Sequence, residues 1–275
     1  MPPTAPTDDA IRLRAWLARH ARVFVLTGAG CSTASGIGDY RDADGAWKRR
    51  PPITLQAFTG DAAAYRRYWA RSFIGWPRFS AARPNAAHTA LARLERRGTL
   101  SLLLTQNVDG LHQQAGSAHV VDLHGRLDAV VCLQCGDRTR REALQRRLER
   151  DNPGWHAVPT AYAPDGDADI DVDAVARFLP PACARCGGAL KPDVVFFGEN
   201  VPRERVATAR DALQASDAML VAGSSLMVYS GFRFARMARE AGLPLAILNR
   251  GLTRADDLAT LRLDGDCGTL LAGAL

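Results

Sequence analysis

The chain has 275 residues, 47% of them hydrophobic, which suits a soluble globular protein able to bury a large core as one big domain or a domain with an added module. No apolar run approaches the roughly 20 residues that cross a bilayer, and the first residues lack the order of a secretory signal, so a cytoplasmic protein with no membrane partner is expected. A formal charge of +6 and a pI near 9.3 raise nucleic acid as a partner, but only Lys48 and Lys191 are lysines and the arginines are dispersed, so a solvated basic surface is expected instead.

In chain order, Ile11, Leu13, Trp16 and Leu17 among Arg12, Arg14, Arg19 and Arg22 read as a structural helix that runs into a strand. Short, continuously apolar runs predict strands near Val23–Leu26, Leu100–Leu104, Val120–Asp122, Val194–Phe197, Met219–Ala222 and Leu245–Leu248. Helical patterns lie between several of them, at Ala86–Arg96, Glu204–Ala215 and Phe232–Ala241. Strands of this kind suit a parallel α/β sheet covered on both faces.

Two stretches break the alternation. Thr54–Phe79 is rich in aromatics and reads as helical until Gly75 and Pro77. Cys132–Cys186 holds an arginine-rich helix and a polar loop at 163–169. The expected organisation is a discontinuous Rossmann-like domain over 1–52, 80–129 and 190–275, a helical insertion over 53–79, and a zinc-binding module over 130–189.

The module takes its metal from cysteine spacing. Six cysteines in so long a chain are not a secreted disulfide scaffold, and four of them form Cys132-x-x-Cys135 and Cys183-x-x-Cys186. Two such knuckles can place four thiolates tetrahedrally around one zinc, which leaves no position for a catalytic water. The remaining two, Cys31 and Cys267, read as small packing residues rather than nucleophiles.

After the first strand comes Thr27-Gly-Ala-Gly-Cys-Ser32, whose glycines let the backbone approach a pyrophosphate. Thr33 occupies the place of the third glycine of a dinucleotide fingerprint, and no acidic ribose ligand ends the second strand. This is not an ordinary dehydrogenase loop, and a two-glycine turn alone is equally compatible with a plain tight turn.

The longer string from Gly28 to Arg41, Gly-Ala-Gly-x-Ser-x-x-Ser-Gly-Ile-x-Asp-Tyr-Arg, resembles the first signature of sirtuins. Thr105-Gln-Asn-Val-Asp-Gly-Leu-His-Gln-Gln-Ala-Gly116 looks like their second, and Leu123-His-Gly125 like the segment that carries their catalytic histidine. Pro192-Asp-Val-Val-Phe-Phe-Gly-Glu199 is similar to their substrate-binding strand, and Gly223-Ser-Ser-Leu-Met-Val228 to a nucleotide-binding turn. Within the family, the 65–76 and 163–169 stretches are most similar to class II members.

The resemblance implies NAD-dependent removal of acyl groups from protein lysines, giving nicotinamide, free lysine and O-acyl-ADP-ribose. It implies His124 as general base, a role that a neutral imidazole fits near neutral pH. It assigns Asn107 to a ribose and an active-site water, Asp109 to the nicotinamide carboxamide, and Gln106 to a ribose. Gly28, Ala29, Gly30 and Ser32 fall to phosphates, and Asp39, Tyr40 and Arg41 to a loop closing over nicotinamide. Gly223, Ser224 and Ser225 fall to phosphate and ribose, Asn249 to the adenosine ribose, and the Cys267 backbone to adenine. Val194, Val195, Phe196, Phe197 and Gly198 would meet the acylated peptide. His112 is expected on the following helix in a structural role.

Tyr68 and Arg71 lie three apart on one predicted helical face, near where sirtuins place the outer end of the acyl tunnel. If both point inward, Arg71 can pair with an acidic acyl carboxylate and favour succinyl, glutaryl or branched dicarboxylic acyl groups over acetyl. Transfer of ADP-ribose to a protein acceptor is the alternative chemistry. A non-enzymatic zinc module holding nucleic acid is the alternative class, and it would leave His124 and the glycine turns without a joint purpose.

Overall fold

The computed structural model describes residues 7–49 and 52–275; residues 1–6, 50 and 51, which the expected 1–52 segment includes, lie outside it. Among the described residues the strands are β1 Val23–Thr27, β2 Leu100–Thr105, β3 Val120–Asp122, β4 Gly125–Cys132, β5 Arg138–Arg140, β6 Ala161–Tyr162, β7 Ala168–Asp169, β8 Leu190–Val194, β9 Ala218–Ala222, β10 Leu245–Leu248 and β11 Leu261–Leu263. The helices are α1 Asp8–Leu17, α2 Leu55–Gly60, α3 Ala62–Ser80, α4 Ala86–Arg96, α5 Leu111–Gln114, α6 Arg141–Asp151, α7 Val172–Val175, α8 Arg203–Gln214, α9 Tyr229–Glu240 and α10 Cys267–Ala274.

Six strands form one parallel sheet in the order β11-β10-β9-β1-β2-β3. All residues of β1, β9 and β10 are buried, as continuous apolar runs covered on both faces require. Alternate side chains separate two cores. Val23, Val25 and Leu103 meet Leu13, Leu91 and Leu271 from α1, α4 and α10 on one face, while Phe24, Leu26 and Leu104 meet Leu213 and Phe234 from α8 and α9 on the other. Strand order reverses at the β1–β9 pair, so a crevice opens beyond the carboxyl ends of these two strands. Gly28 and Gly223, the residues that follow them, therefore stand at the mouth of that crevice.

The expected strand at Val194–Phe197 ends at Val194, and β8 pairs with β4 in a three-stranded antiparallel sheet rather than with the large one. Beyond Val194 the chain turns away: the Val195 N–H donates to the His124 carbonyl at 2.8 Å, and Phe197 bridges to Thr54. This small sheet, completed by β5, spans the expected boundaries at 129/130 and 189/190.

α3 also departs from expectation by continuing through Gly75 and Pro77 to Ser80. Proline removes the N–H that would reach the Phe73 carbonyl four residues back. Gln145 supplies the missing donor, its Nε2 lying 3.2 Å from that oxygen. Gly75 is retained for space: a Cβ there would lie 2.1 Å from the Gly166 carbonyl oxygen. Alanine in an open helix gains about 1 kcal/mol over glycine, but Gly75→Ala here is expected to lower the melting temperature, because overpacking costs roughly 1–3 kcal/mol. A calorimetric scan showing a higher melting temperature would remove this account of the helix–loop contact.

Candidate active site

A cavity of about 440 Å³ opens at the strand-order reversal and is lined by the two glycine turns, the Gln106–Asp109 loop, His124, Val194–Gly198 and the start of α9. Its entrance works because side chains are missing. A Cβ on Gly28 would lie 2.8 Å from Ser224 Cβ, one on Gly30 2.9 Å from the Gly223 carbonyl oxygen, and one on Gly223 2.3 Å from the Cys31 nitrogen. The turn is held further by Leu226, which is buried at a positive φ of 56°, a strained state of the kind that gathers at binding sites.

The loop after β2 is tied to these turns. Gln106 Nε2 donates to Ser224 Oγ at 2.7 Å, and Asn107 Nδ2 donates to the Gly28 carbonyl and to Ser32 Oγ, each at 3.0 Å. Ser32 Oγ donates to Asp109 Oδ2 at 2.7 Å, while Asp109 Oδ1 accepts the Leu111 N–H at the start of α5. Hence Asn107, Ser32 and Asp109 form one polar network facing the cavity, beside the separate Gln106–Ser224 pair. His112 on α5 is buried and bonds Thr27 Oγ1 through Nε2 at 2.9 Å, a position beneath the turn rather than in the cavity.

His124 follows β3 at a tight turn that Gly125 permits, with φ +80° and no room for a Cβ beside the Asp193 carbonyl. Its Nδ1 lies 3.0 Å from the Gln106 carbonyl oxygen. A carbonyl only accepts, so the neutral ring carries its hydrogen on Nδ1 and presents the Nε2 lone pair to the cavity. Ser230 Oγ sits 2.7 Å from Nε2 and donates to it. Burial depresses the imidazole pKa to about 4; the Gln106 bond opposes the shift, and Arg205 and Arg233 add to it. The ring is therefore a neutral, oriented acceptor throughout the physiological range.

Ser230 was not expected from sequence, nor was Gly231. A Cβ on Gly231 would lie 2.4 Å from Gln106 Oε1, so this glycine lets α9 approach closely enough for Ser230 to reach the ring. Arg233, one turn later, lines the cavity with a buried Nε that has no partner among the described residues.

Of the expected site residues, Gly28, Ala29, Gly30, Ser32, Asp39, Tyr40, Arg41, Gln106, Asn107, Asp109, His124, Gly223, Ser224, Ser225 and Asn249 line this cavity, as do Tyr68 and Val194–Gly198. Cys267 does not: it begins α10, buried, its thiol 3.8 Å from the Gly30 carbonyl. Arg71 does not either, and here the expected pair separates. Its guanidinium turns to Asp169 Oδ1 at 2.7 Å, the Ala168 carbonyl at 3.1 Å and Asp167 Oδ2 at 3.8 Å. An arginine so compensated is not a free clamp for an acyl carboxylate.

Away from the cavity, Cys132, Cys135, Cys183 and Cys186 bring their sulfurs within 4.8 Å of one another, with 3.5 Å between Cys132 and Cys186 and 3.8 Å between Cys135 and Cys183. Four thiolates at about 2.3 Å from one zinc are about 3.8 Å apart in a tetrahedron. The donor set therefore fits zinc with a closed shell.

The model of the Sir2 family matches residues 28–230. An NAD-dependent protein deacetylase of Xanthomonas campestris pv. campestris (strain 8004) is 62% identical over 268 residues, covering 98% of this chain and 92% of its own length. One from Bordetella bronchiseptica is 59% identical over 265 residues, covering 96% and 97%. Among solved structures, a Sir2 protein with a p53 peptide and NAD+ superposes with a TM-score of 0.75 at 30% identity over 94% of each chain. A second, Sir2Tm bound to a propionylated peptide, gives 0.74 at 30% over 95% of this chain and 94% of that one. The chain belongs to the Sir2 family.

Proposed function

We propose that this protein is an NAD-dependent protein-lysine deacylase. The observation that carries the reading is the setting of His124: a neutral imidazole, its Nδ1 anchored on the Gln106 carbonyl and its Nε2 aimed into a cavity at the sheet's reversal point. The glycine turns at 28–30 and 223 give a pyrophosphate the close backbone approach it requires, and Asn107, Gln106, Ser224, Ser225 and Asn249 supply polar groups for the riboses. Asp109, with Asp39, Tyr40 and Arg41, takes the nicotinamide end.

An amide resists hydrolysis, and NAD carries a good leaving group on an activated glycosidic bond. The acyl oxygen of the bound lysine attacks the ribose carbon as the bond to nicotinamide breaks. His124 Nε2 then removes the proton from a ribose hydroxyl, whose oxygen adds to the acyl carbon. Water completes release of the lysine amine and O-acyl-ADP-ribose. Ser230 must yield Nε2 for this step, since one lone pair serves one donor.

The zinc-fitting quartet stands apart from these groups and organises the 132–186 segment. Among the described residues no helix is long and apolar enough to cross a membrane, and we place the protein in the cytoplasm, where four reduced thiols remain available to a metal.

Mass spectrometry of a reaction with NAD and an acetyl-lysine peptide tests the reading. Nicotinamide, deacetylated peptide and O-acetyl-ADP-ribose are expected in equal amounts. A protein acceptor gaining the mass of ADP-ribose while the peptide stays acetylated would replace it with the transferase reading.

A further inference from the structure

Part of the cavity wall is apolar, formed by Ile53, Tyr68, Phe79, Leu127 and Phe196, which belong to one hydrophobic cluster. One part of that wall comes from the cysteine-bearing module. β6 and β7 pair antiparallel, and their connecting turn is tied by Ala163 N–H to the Asp167 carbonyl at 2.8 Å and by Gly166 N–H to the Ala163 carbonyl at 3.2 Å. Pro164 and Asp165, at the tip of this hairpin, line the cavity.

The tip is wedged in place. Gly166, at φ +80°, faces Leu127 and Phe79, with 3.1 Å and 3.2 Å left for a Cβ, and its carbonyl closes on Gly75 of α3. Asp165 is thus a fixed carboxyl in the cavity wall, next to the apolar Leu127 and Phe79. Behind it lies Asp167, 5% exposed, with one carboxyl oxygen unpartnered among the described residues.

Among the described residues, the cations nearest these carboxyls are already engaged. Arg71, the cation that acts on Asp165, is already held by Asp169, Asp167 and the Ala168 carbonyl. Arg141 is committed to Ser72 and Gln145. Burial raises the pKa of both carboxyls, most strongly at Asp167. Asp165 accepts the Asp167 N–H at 3.3 Å, a bond that favours its ionised form and opposes the effect of burial.

We infer that Asp165 sets the charge selectivity of the acyl end of the cavity, admitting uncharged acyl groups and turning away those that end in a carboxylate. The inference rests on the deacylase reading and reverses the selectivity expected from the Tyr68/Arg71 spacing. A second carboxylate brought against Asp165 meets a like charge, and among the described residues no side-chain cation is paired with Asp165 to offset it.

The test uses the full-length, zinc-loaded protein with NAD and one peptide carrying acetyl-, butyryl-, glutaryl- or glutaramoyl-lysine, the last being the uncharged amide isostere of glutaryl. Nicotinamide release is measured. Wild type is expected to favour butyryl and glutaramoyl over glutaryl by roughly 30-fold or more in kcat/KM, and Asp165→Asn to raise the glutaryl-to-glutaramoyl ratio by roughly tenfold. Glutaryl turned over as fast as glutaramoyl by wild type overturns the inference, and so does an Asp165→Asn protein that folds and keeps the wild-type ratio. Should that variant not fold, the wild-type comparison of isosteres decides alone. No nicotinamide with any of the four peptides sinks the deacylase reading itself, and the charge inference with it.

Discussion

Replacing His124 with tyrosine is expected to lower kcat/KM for release of free lysine by about 10²–10⁴-fold, the range that a positioned general base contributes, while leaving the fold intact. The ring lies between elements rather than in a core: its backbone carbonyl takes the Val195 N–H and its side chain spans Gln106 and Ser230. Circular dichroism and thermal melting of the variant separate lost chemistry from lost structure. A variant that still releases lysine at the wild-type rate ends the assignment of His124 as base.

The same residue dictates a pH dependence. Burial holds its pKa down to about 4, and only the neutral ring accepts a proton, so activity attributable to it rises as pH rises through about 4 and is flat from 6 to 8. In the free enzyme the acid limb of kcat/KM reports that group. A limb near the unperturbed histidine value of about 6.5 would show a solvated ring instead of the dry one described. The stability consequence has the matching sign. The unfolded chain binds its proton first as pH falls below about 6.5, so the contribution of His124 to stability is lost between there and about 4. His88 and His112, both lowered by burial, add to the loss in the same direction.

Local chemistry made much of this visible in sequence. β1, β9 and β10 are buried on both faces and therefore apolar throughout, and α4 begins at an Asn85 capping box, so its expected span Ala86–Arg96 is the observed one. The glycine turns were legible for the same reason: only glycine tolerates neighbours at 2.3–2.9 Å from its missing Cβ. What sequence hid was set by partners far along the chain. Pro77 reads as a helix breaker until Gln145, 68 residues later, supplies the donor for Phe73. Val194–Phe197 reads as a sheet strand until His124 and Thr54 draw it aside. Tyr68 and Arg71 share a helical face by spacing, but the ion pair with Asp169 across 98 positions turns Arg71 away. Ser230 carries no sequence signal of its own; the cue was the adjacent Gly231, a small residue at the start of a helix that must pass close to Gln106.

Stripping the metal is expected to cost the enzyme its activity through structure rather than through lost chemistry. Cys132 ends β4, the strand that begins at Gly125 beside His124, and the hairpin carrying Asp165 lies between the two cysteine pairs. In zinc-finger peptides, structural zinc contributes an apparent 10–16 kcal/mol to folding, more than the roughly 5–15 kcal/mol by which whole domains are stable. A chelator strong enough to remove one equivalent, or Cys183→Ser, should therefore expose residues 133–189 to protease and abolish lysine release, with recovery on adding zinc back to the chelated wild type. A closed shell of four thiolates predicts further that cadmium, which accepts the same tetrahedral sulfur set, restores activity as fully as zinc, because the ion touches no reacting atom. A metal-free protein that retains full turnover would show that the module folds without its ion. A turnover number that changes with the metal's identity at constant protease resistance would instead put the ion in the chemistry.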